Sequence, residues 1–199
     1  MGAISLDEVK KLKELTGVGL TDAKVALTEA DGDFDKALEA MRKKGLTRAE
    51  KKGEREAREG LVDSYVHGGR IGVIVEVNCE TDFVARTEDF QNLVHDVAMH
   101  IAASAPEFAS VEEIPADVRE AKKAEFIEKA KNDGKPENMV EQIAEGMLKK
   151  YLAEKTLTEQ PYIKNPDQTV GEYVKAHIAR LGENIVVRQF KRIELGVSE

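Results

Sequence analysis

A period of two runs through LVDSYVHGGRIGVIVEVNC, residues 61–79, and this stretch decides the fold class. In its second half every other residue is a branched apolar one: Ile71, Val73, Val75 and Val77. Such alternation predicts a β-strand with one buried face. Gly68-Gly69 separates it from a strand-like first half and is a hairpin turn signal. The stretch therefore predicts an antiparallel hairpin whose apolar face needs a covering layer.

A helical period follows the hairpin and supplies that layer. Spacings of three and one recur in Phe90, Leu93, Val94, Val97, Ala98, Ile101 and Ala102. These spacings place one broad apolar face on a helix. Two more helices are predicted at about 115–132 and 137–153, followed by a loop, TLTEQPYIKNPDQ, at residues 156–168.

The last part of the chain predicts one more helix and one more strand. Thr169 and Glu172 have the spacing of a capping box, and the helix they open is predicted to end at Gly182. NIVVRQFKRIEL, residues 184–195, predicts a third strand. The core is therefore expected to be a small three-stranded antiparallel sheet with helices on one face.

Three short helices are predicted ahead of the sheet. The first opens with a capping box of Ser5 and Glu8, a turn at Gly17-Val18-Gly19 precedes the second, and the third is predicted to stop at Gly45.

The predicted fold class is α+β, in three parts. A three-helix bundle occupies residues 1–45, a basic linker helix residues 46–59 and a core domain residues 60–199.

The charge balance favours a protein partner over a nucleic acid. The 199 residues carry a net charge of -8, whereas a general nucleic-acid binder needs a surplus of Lys and Arg. Between Met41 and Arg58, eight basic residues against three acidic ones leave a local charge of +5. This basic collar on an acidic body can orient an acidic partner surface.

The sequence predicts no cofactor, no metal site and no contact with a membrane. Cys79 is the single cysteine, so it cannot form an internal disulfide, and no Cys/His cluster has zinc-site spacing. The start, MGAISLDEVKKLKEL, lacks the features of an export signal, and no segment approaches the roughly 20 apolar residues of a membrane span. We therefore expect a soluble, cytoplasmic protein.

Two segments resemble signature motifs of the elongation factor Ts family: LKELTGVGLTDAKVAL, residues 12–27, and EVNCETDFVAR, residues 76–86. Three further stretches, SYVHGGRIGV, HIAASAPEF and QPYIKNPDQTVGEYVK, resemble the second half of the duplicated core in longer members. The resemblance covers nearly the whole chain. It implies a ubiquitin-associated-type bundle followed by one core subdomain, in a short form without the helical hairpin that longer members insert for dimer contacts.

This resemblance implies a guanine nucleotide exchange factor for elongation factor Tu, the GTPase of translation elongation. Such a factor binds the GDP-bound and nucleotide-free GTPase, disturbs its magnesium and phosphate site, promotes GDP release and allows GTP to load. It has no cofactor, no direct contact with nucleic acid and no covalent chemistry of its own.

The resemblance also implies that Thr81, Asp82, Phe83 and Val84 displace magnesium from the partner. These residues lie where the strand period gives way to a helical pattern. Taken by themselves, they have a simpler alternative: Phe83 fills the protein's own core while Asp82 or Thr81 caps the following helix.

A second candidate contact is the turn TGVGLTDAK, residues 16–24, which presents Val18, Leu20 and Lys24. The resemblance favours contact with the nucleotide domain of the GTPase, and the alternative is a plain turn between helices. The turn is not a P-loop, because its glycines follow a helix and lack the GKS or GKT ending.

Lys52 and His67 also fall at positions that resemble partner-contacting residues of the family. The alternatives are a solvated charge for Lys52 and a hairpin-turn residue for His67.

Two other functions compete with nucleotide exchange. A thiol enzyme would use Cys79 as the nucleophile and a histidine as the base, drawn from His67, His95, His100 and His177, but no glycine elbow or oxyanion motif accompanies the cysteine. A binding module would recognise ubiquitin or a peptide through the N-terminal bundle, and this leaves the TDFVAR segment without a role.

The open edges of a three-stranded sheet need a cover. A homodimer through the core-domain sheet is therefore a further hypothesis.

Overall fold

The computed structural model describes residues 4–16 and 18–197, and its N-terminal part is a three-helix bundle. The helices are α1 (Leu6–Thr16), α2 (Leu20–Glu29) and α3 (Phe34–Glu50). The capping box of Ser5 and Glu8 is confirmed, because each backbone N–H donates to the other side chain, at 3.0 and 3.1 Å. The helices share a small core of Val9, Leu12, Ala23, Ala26, Leu27, Ala37 and Met41. Gly17 of the predicted turn lies outside the described residues.

The third helix runs through Gly45 to Glu50, so the predicted stop at Gly45 is wrong. A glycine that ends a helix usually adopts a left-handed conformation, whereas Gly45 continues the helix. It faces helix α8 (Val170–Leu181), where a Cβ at position 45 would lie 3.5 Å from the Cβ of Ala179. The glycine therefore lies inside α3, where this helix contacts α8, and is not a cap.

A separate linker helix at 46–59 is also a wrong prediction. Residues 46–50 belong to α3, residues 51–54 form turns, residue 55 is a bend, and the first strand begins at Glu59. Ala49 is buried in the core of the sheet domain, and this packing keeps the last turn of α3 helical.

The predicted antiparallel sheet is confirmed, with the strand order β1–β2–β5. Its strands are β1 (Glu59–His67), β2 (Ile71–Cys79) and β5 (Val186–Glu194). β1 and β2 pair along their whole length, with His67 opposite Ile71 at one end and Glu59 opposite Cys79 at the other. Val73, Val75 and Val77 of the predicted apolar face are buried.

The turn between β1 and β2 is formed by the two predicted glycines. Gly68 and Gly69 have φ of 56° and 68°, the left-handed values that a tight two-residue hairpin turn requires. The N–H of Arg70 donates to the carbonyl of His67 at 3.0 Å and closes the turn.

Helices cover one face of the sheet. After the single-turn helix α4 (Asp82–Ala85), α5 (Glu88–Ser104) lies against β1 and β2. All seven residues of its predicted apolar face are buried. The structure thus confirms both the covering helix and the α+β class.

Helices α6 (Ala116–Asn132) and α7 (Glu137–Lys155) are confirmed close to their predicted bounds. They pack on each other, with the rings of Phe126 and Tyr151 6.0 Å apart between centroids. The two predicted helices thus form a hairpin with each other.

The predicted loop at 156–168 contains a small hairpin of β3 (Pro161–Tyr162) and β4 (Asn165–Thr169), so the loop prediction is wrong in that part. Asp96 of α5 holds this hairpin, accepting from the Tyr162 hydroxyl at 2.9 Å and from the Lys164 ammonium at 2.6 Å. A polar segment is ordered here by side chains from elsewhere in the core.

Helix α8 follows β4 as predicted. Its capping box of Thr169 and Glu172 is complete, and Gly182 ends it with a left-handed φ of 83°. The loop at residues 182–185 then leads into β5.

Candidate functional site

Helix α4 presents an apolar ring to solvent at the end of β2. The side chain of Phe83 is 79% exposed, although aromatic rings are usually among the most buried groups. On the other side of this single turn, Val84 packs against the core and Ala85 is buried. The ring therefore points outward because the two residues after it occupy the interior.

The simpler alternative for this segment is half right. Thr81 caps α4, since its hydroxyl accepts from the N–H of Val84 at 3.4 Å. The proposal that Phe83 fills the protein's own core is wrong, because the ring is exposed.

Asp82 places a carboxylate beside the exposed ring. Its Oδ2 lies 2.9 Å from Nη2 of Arg86, one turn further along the chain, and both side chains reach solvent. The exposed side of α4 therefore carries an apolar ring, that of Phe83, next to the ion pair of Asp82 and Arg86.

Sequence reasoning missed a carboxylate that supports this turn. Glu183, in the loop after α8, accepts the backbone N–H groups of Glu80 and Thr81 at 3.1 and 3.0 Å and the Thr81 hydroxyl at 2.6 Å. No local pattern indicates this contact, because Glu183 and Thr81 are 102 residues apart in the chain.

A second exposed group lies at the tip of the N-terminal bundle. Leu20 is 48% exposed, Lys24 is exposed one turn later on α2, and Leu6 of α1 borders the same shallow hollow. Val18 is half-buried and packs against the bundle core. Of the three predicted residues, Leu20 and Lys24 are thus available to a partner and Val18 mainly supports the bundle.

Lys52 and His67, the other two predicted contact residues, differ in how accessible their side chains are to a partner. Lys52 is half-buried and its ammonium donates to the carbonyl of Gly182 at the end of α8. His67 is exposed at the end of β1, with Nδ1 3.0 Å from the Tyr65 hydroxyl. Lys52 therefore has a structural partner, and His67 remains accessible.

The candidate residues do not converge on one pocket. His67 lies at the turn end of the β1–β2 hairpin, while α4 follows the opposite end of β2. The eight steps from Ile71 to Cys79 span roughly 27 Å at about 3.4 Å per residue, the rise of an antiparallel strand. This arrangement suits contact with a large partner surface better than it suits a small-molecule site.

The environment of Cys79 disfavours a nucleophilic role. Burial, and next the charge of Glu183, raise the pKa of this buried thiol to about 11. The thiolate is the reactive form, so little of it is present near neutral pH.

The histidines offer Cys79 little help. His67 is at the far end of the hairpin, and burial lowers the pKa of both His100 and His177. Each buried ring also has a partner: His100 lies 2.9 Å from Oε1 of Gln160, and His177 lies 2.9 Å from the Tyr173 carbonyl. His95 also has a partner, because its Nδ1 lies 3.1 Å from Oδ2 of Asp63. Nothing in this arrangement supports a thiol enzyme.

Residues 4–16 and 18–197 contain no grouping of three or more His, Cys, Asp and Glu side chains suited to a metal ion. Within those same ranges, no helix has the length and apolar character to cross a membrane.

Comparison with known proteins gives a consistent family signal. The sequence model of the family described as Elongation factor TS matches residues 46–197. The chain is 53% identical over 194 residues to Elongation factor Ts of Moorella thermoacetica, covering 97% of this chain and 96% of the relative. It is 50% identical over 195 residues to Elongation factor Ts of Geobacter sulfurreducens, covering 98% of this chain and 90% of the relative. With the protein of the same name from Desulfosudis oleivorans, the identity is 49% over 197 residues, with 98% and 100% covered.

Proposed function

The chain belongs to the elongation factor Ts family, and from that premise we propose how it promotes nucleotide exchange on elongation factor Tu during translation elongation. It binds the GDP-bound GTPase, and Thr81, Asp82, Phe83 and Val84 disturb the magnesium and phosphate site. GDP then leaves, and the nucleotide-free complex accepts GTP.

The exposure of Phe83 is the observation that carries this proposal. A ring left 79% exposed loses the burial that usually stabilises an aromatic side chain, and a partner pocket can supply that burial. Its neighbours in the same turn are anchored in the core, so the ring can transmit force to a partner. Phe83 therefore acts as the wedge, while Thr81 and Val84 fix the turn that bears it.

A small displacement is sufficient for this mechanism. Magnesium requires nearly ideal octahedral coordination at about 2.0–2.1 Å, so a ligand-bearing segment shifted by about 1 Å binds the ion poorly. Loss of the ion also weakens the hold on the phosphates it neutralises. A barrier lowered by about 1.4 kcal/mol speeds GDP release tenfold, which is a modest share of the energy of a protein interface.

The exchange cycle is reversible and needs no covalent step. If this chain weakens GDP binding by some factor, GDP weakens the binding of this chain by the same factor. The factor is therefore released when a nucleotide rebinds, and acts again. This account leaves no role for Cys79 as a nucleophile.

The remaining predicted residues contribute binding at other points of the interface. Leu20 and Lys24 at the tip of the bundle, supported by Val18, contact the nucleotide domain of the GTPase, and His67 makes a second contact at the far end of the hairpin. Lys52 contributes chiefly by holding the segment between bundle and core, through its bond to Gly182. The wide spacing of these groups supports a partner of protein size, in the cytoplasm where translation takes place.

A stopped-flow experiment tests this function. Release of a fluorescent GDP analogue from elongation factor Tu and magnesium is followed at increasing concentrations of the native chain or of Phe83→Ala. We expect strong acceleration by the native chain and at least a ~10-fold lower maximal rate with Phe83→Ala, while the complex still forms. No acceleration by folded native protein would refute the function, and full activity of Phe83→Ala would refute the wedge.

A separate observation favours the homodimer. The face of the sheet opposite α5 exposes Val62 and Val66 of β1, Ile74 of β2 at 56% and Ile193 of β5 at 73%. A second copy of the same face would cover this apolar patch in a two-fold arrangement.

Light scattering over a range of concentrations should then show association that Ile74→Lys abolishes and Met139→Lys, on the exposed side of α7, does not. A 22.0 kDa species at every concentration would end the hypothesis.

A further inference from the structure

Phe83 lies on a helix that is too short to keep a fixed orientation by itself. Helix α4 has four residues, whereas an isolated helix needs several turns to be stable in water. Val84 and Ala85 anchor its far side in the core, but the ring is also displaced if the backbone entering the turn moves. A wedge in that position needs a second anchor on residues 80–81.

One carboxylate supplies this anchor. Oε2 of Glu183 accepts the backbone N–H groups of Glu80 and Thr81, at 3.1 and 3.0 Å, and its Oε1 accepts the Thr81 hydroxyl at 2.6 Å. Hydrogen bonds to an ionised carboxylate are about twice as strong as neutral ones. Three donors that converge on this one carboxylate thus fix both the position and the direction of the chain as it enters α4.

The Thr81 hydroxyl passes this restraint on to α4. Because its proton is directed at Glu183, its oxygen keeps a lone pair for the N–H of Val84, 3.4 Å away. The same hydroxyl therefore donates to the anchor and caps the helix that bears the ring. Loss of Glu183 would free the hydroxyl to rotate and would weaken the cap.

The loop that carries Glu183 also fastens the segment that follows the bundle. The Asn184 side chain donates to the carbonyls of Gly53 and Arg55 at 3.3 and 2.7 Å, and its backbone N–H donates to the Glu80 carboxylate at 2.6 Å. Glu80 and Glu183 thus form a reciprocal clasp between the end of β2 and this loop. The clasp fixes α4 relative to the chain segment leaving the bundle.

We propose that Glu183 is a positioning residue for Phe83, which holds the exposed ring in the one orientation that displaces the partner's segment. The inference rests on the proposed exchange function and deepens it. Glu183 itself does not touch the partner's magnesium site. Its loss should lower the maximal rate of GDP release and leave the strength of complex formation nearly unchanged.

Kinetics separate these two quantities. Stopped-flow release of a fluorescent GDP analogue is measured against the concentration of the native chain, Glu183→Gln, Glu183→Ala and the control Glu141→Ala, on the exposed side of α7. For Glu183→Ala we expect a ~10-fold lower maximal rate with less than a ~3-fold change in the half-saturating concentration. Glu183→Gln retains one acceptor oxygen, so its maximal rate should lie between those of Glu183→Ala and the native chain. The maximal rate of Glu141→Ala should match that of the native chain. An unchanged maximal rate for folded Glu183→Ala overturns the inference.

A spectroscopic measurement distinguishes positioning from general loss of stability. The chain has no tryptophan, so Phe83→Trp introduces a single fluorescent reporter at the site. Adding Glu183→Ala should lower the anisotropy of that indole and leave the circular dichroism at the assay temperature unchanged. An equally restrained indole in both backgrounds overturns the inference.

A double variant gives the third test and separates the two hypotheses. If Glu183 acts through the ring, Phe83→Ala combined with Glu183→Ala should be no slower than Phe83→Ala alone, whereas independent effects would multiply. Failure of the native chain to speed release defeats the exchange function itself. A different set of results would refute only the positioning role. In that case the native chain speeds GDP release and Phe83→Ala lowers the maximal rate, but Glu183→Ala has the same maximal rate as the native chain.

Discussion

Tyr162 and Tyr173 stack with their ring centroids 4.3 Å apart, and both hydroxyls donate to Asp96 at 2.9 Å. The stack joins the β3–β4 hairpin to α8, and Asp96 ties both of them to α5. Burial, with the adjoining carboxylate, raises the pKa of both tyrosines, so both remain donors at any pH of interest. Three parts of the core thus meet at one carboxylate.

Asp96 should make stability depend on pH in acid. Burial by itself raises the pKa of this carboxyl, but hydrogen bonds from Lys164, Tyr162 and Tyr173 outweigh it and hold the pKa below its ordinary 3.8. A lowered pKa in the folded state stabilises the fold above the ordinary pKa, and that stability is lost as the pH falls through the lowered value.

Asp96→Asn should therefore cost about 1–3 kcal/mol of unfolding free energy at pH 7, measured by urea denaturation. The deficit relative to the native chain should shrink below about pH 4. Asp167→Asn, at an exposed position of β4, is the matched control and should cost little at either pH. An Asp96→Asn deficit as large at pH 3 as at pH 7 would contradict the stabilising role of the ionised Asp96 carboxylate.

Gly45→Ala should be neutral or stabilising. The residue is helical, and a Cβ there would lie at ordinary contact distance, 3.5 Å, from Ala179, so the gain in helix propensity of up to about 1 kcal/mol is available. Gly182→Ala, with φ of 83°, is the contrasting control and should cost about 1 kcal/mol or more. A loss of that size for Gly45→Ala would indicate a helix stop at position 45.

Leu20→Ala should weaken complex formation without changing the maximal rate of GDP release. If the tip of the bundle only binds the partner, the half-saturating concentration should rise by about tenfold at an equal maximal rate. Val25→Ala offers a matched control, since this residue is 44% exposed on another side of the same helix. Equal effects of the two variants would show that the tip is not a specific contact.

Cys79 should be almost inert in the folded protein. With its pKa at about 11, the thiolate fraction at pH 8 is about 100-fold below that of a free cysteine. Labelling by a disulfide reagent should therefore be at least ~100-fold slower in buffer than in urea, and Cys79→Ser should retain most exchange activity. Rapid labelling that abolishes exchange would revive the thiol-enzyme alternative.

Regular periodicity made the main elements predictable from the sequence. The alternation from Ile71 to Val77 and the three-and-one spacing from Phe90 to Ala102 both describe a single buried face, and burial is what these elements share in the structure. Capping residues such as Thr169 were also predictable from a local pattern, because a cap and its partner are three residues apart.

Features that depend on distant contacts could not be predicted in this way. Gly45 has the composition of a helix stop, yet α3 continues through it and packs there on α8, more than a hundred residues later in the chain. The β3–β4 hairpin is polar and carries Pro161 and Pro166, and its order comes from Asp96. The outward orientation of Phe83 depends on which neighbours enter the core, and its anchor, Glu183, has no local signature.

The most direct test of the central claim varies magnesium. If Phe83 speeds GDP release by disturbing the magnesium site, the ring is useful only while the ion is bound. Maximal release rates with the native chain and with Phe83→Ala are compared in millimolar magnesium and in excess EDTA. We predict a native-to-variant ratio of ~10 or more with magnesium that falls towards one in EDTA. A ratio that stays as large in EDTA would contradict the account, because Phe83 would then act on release by a route independent of the ion.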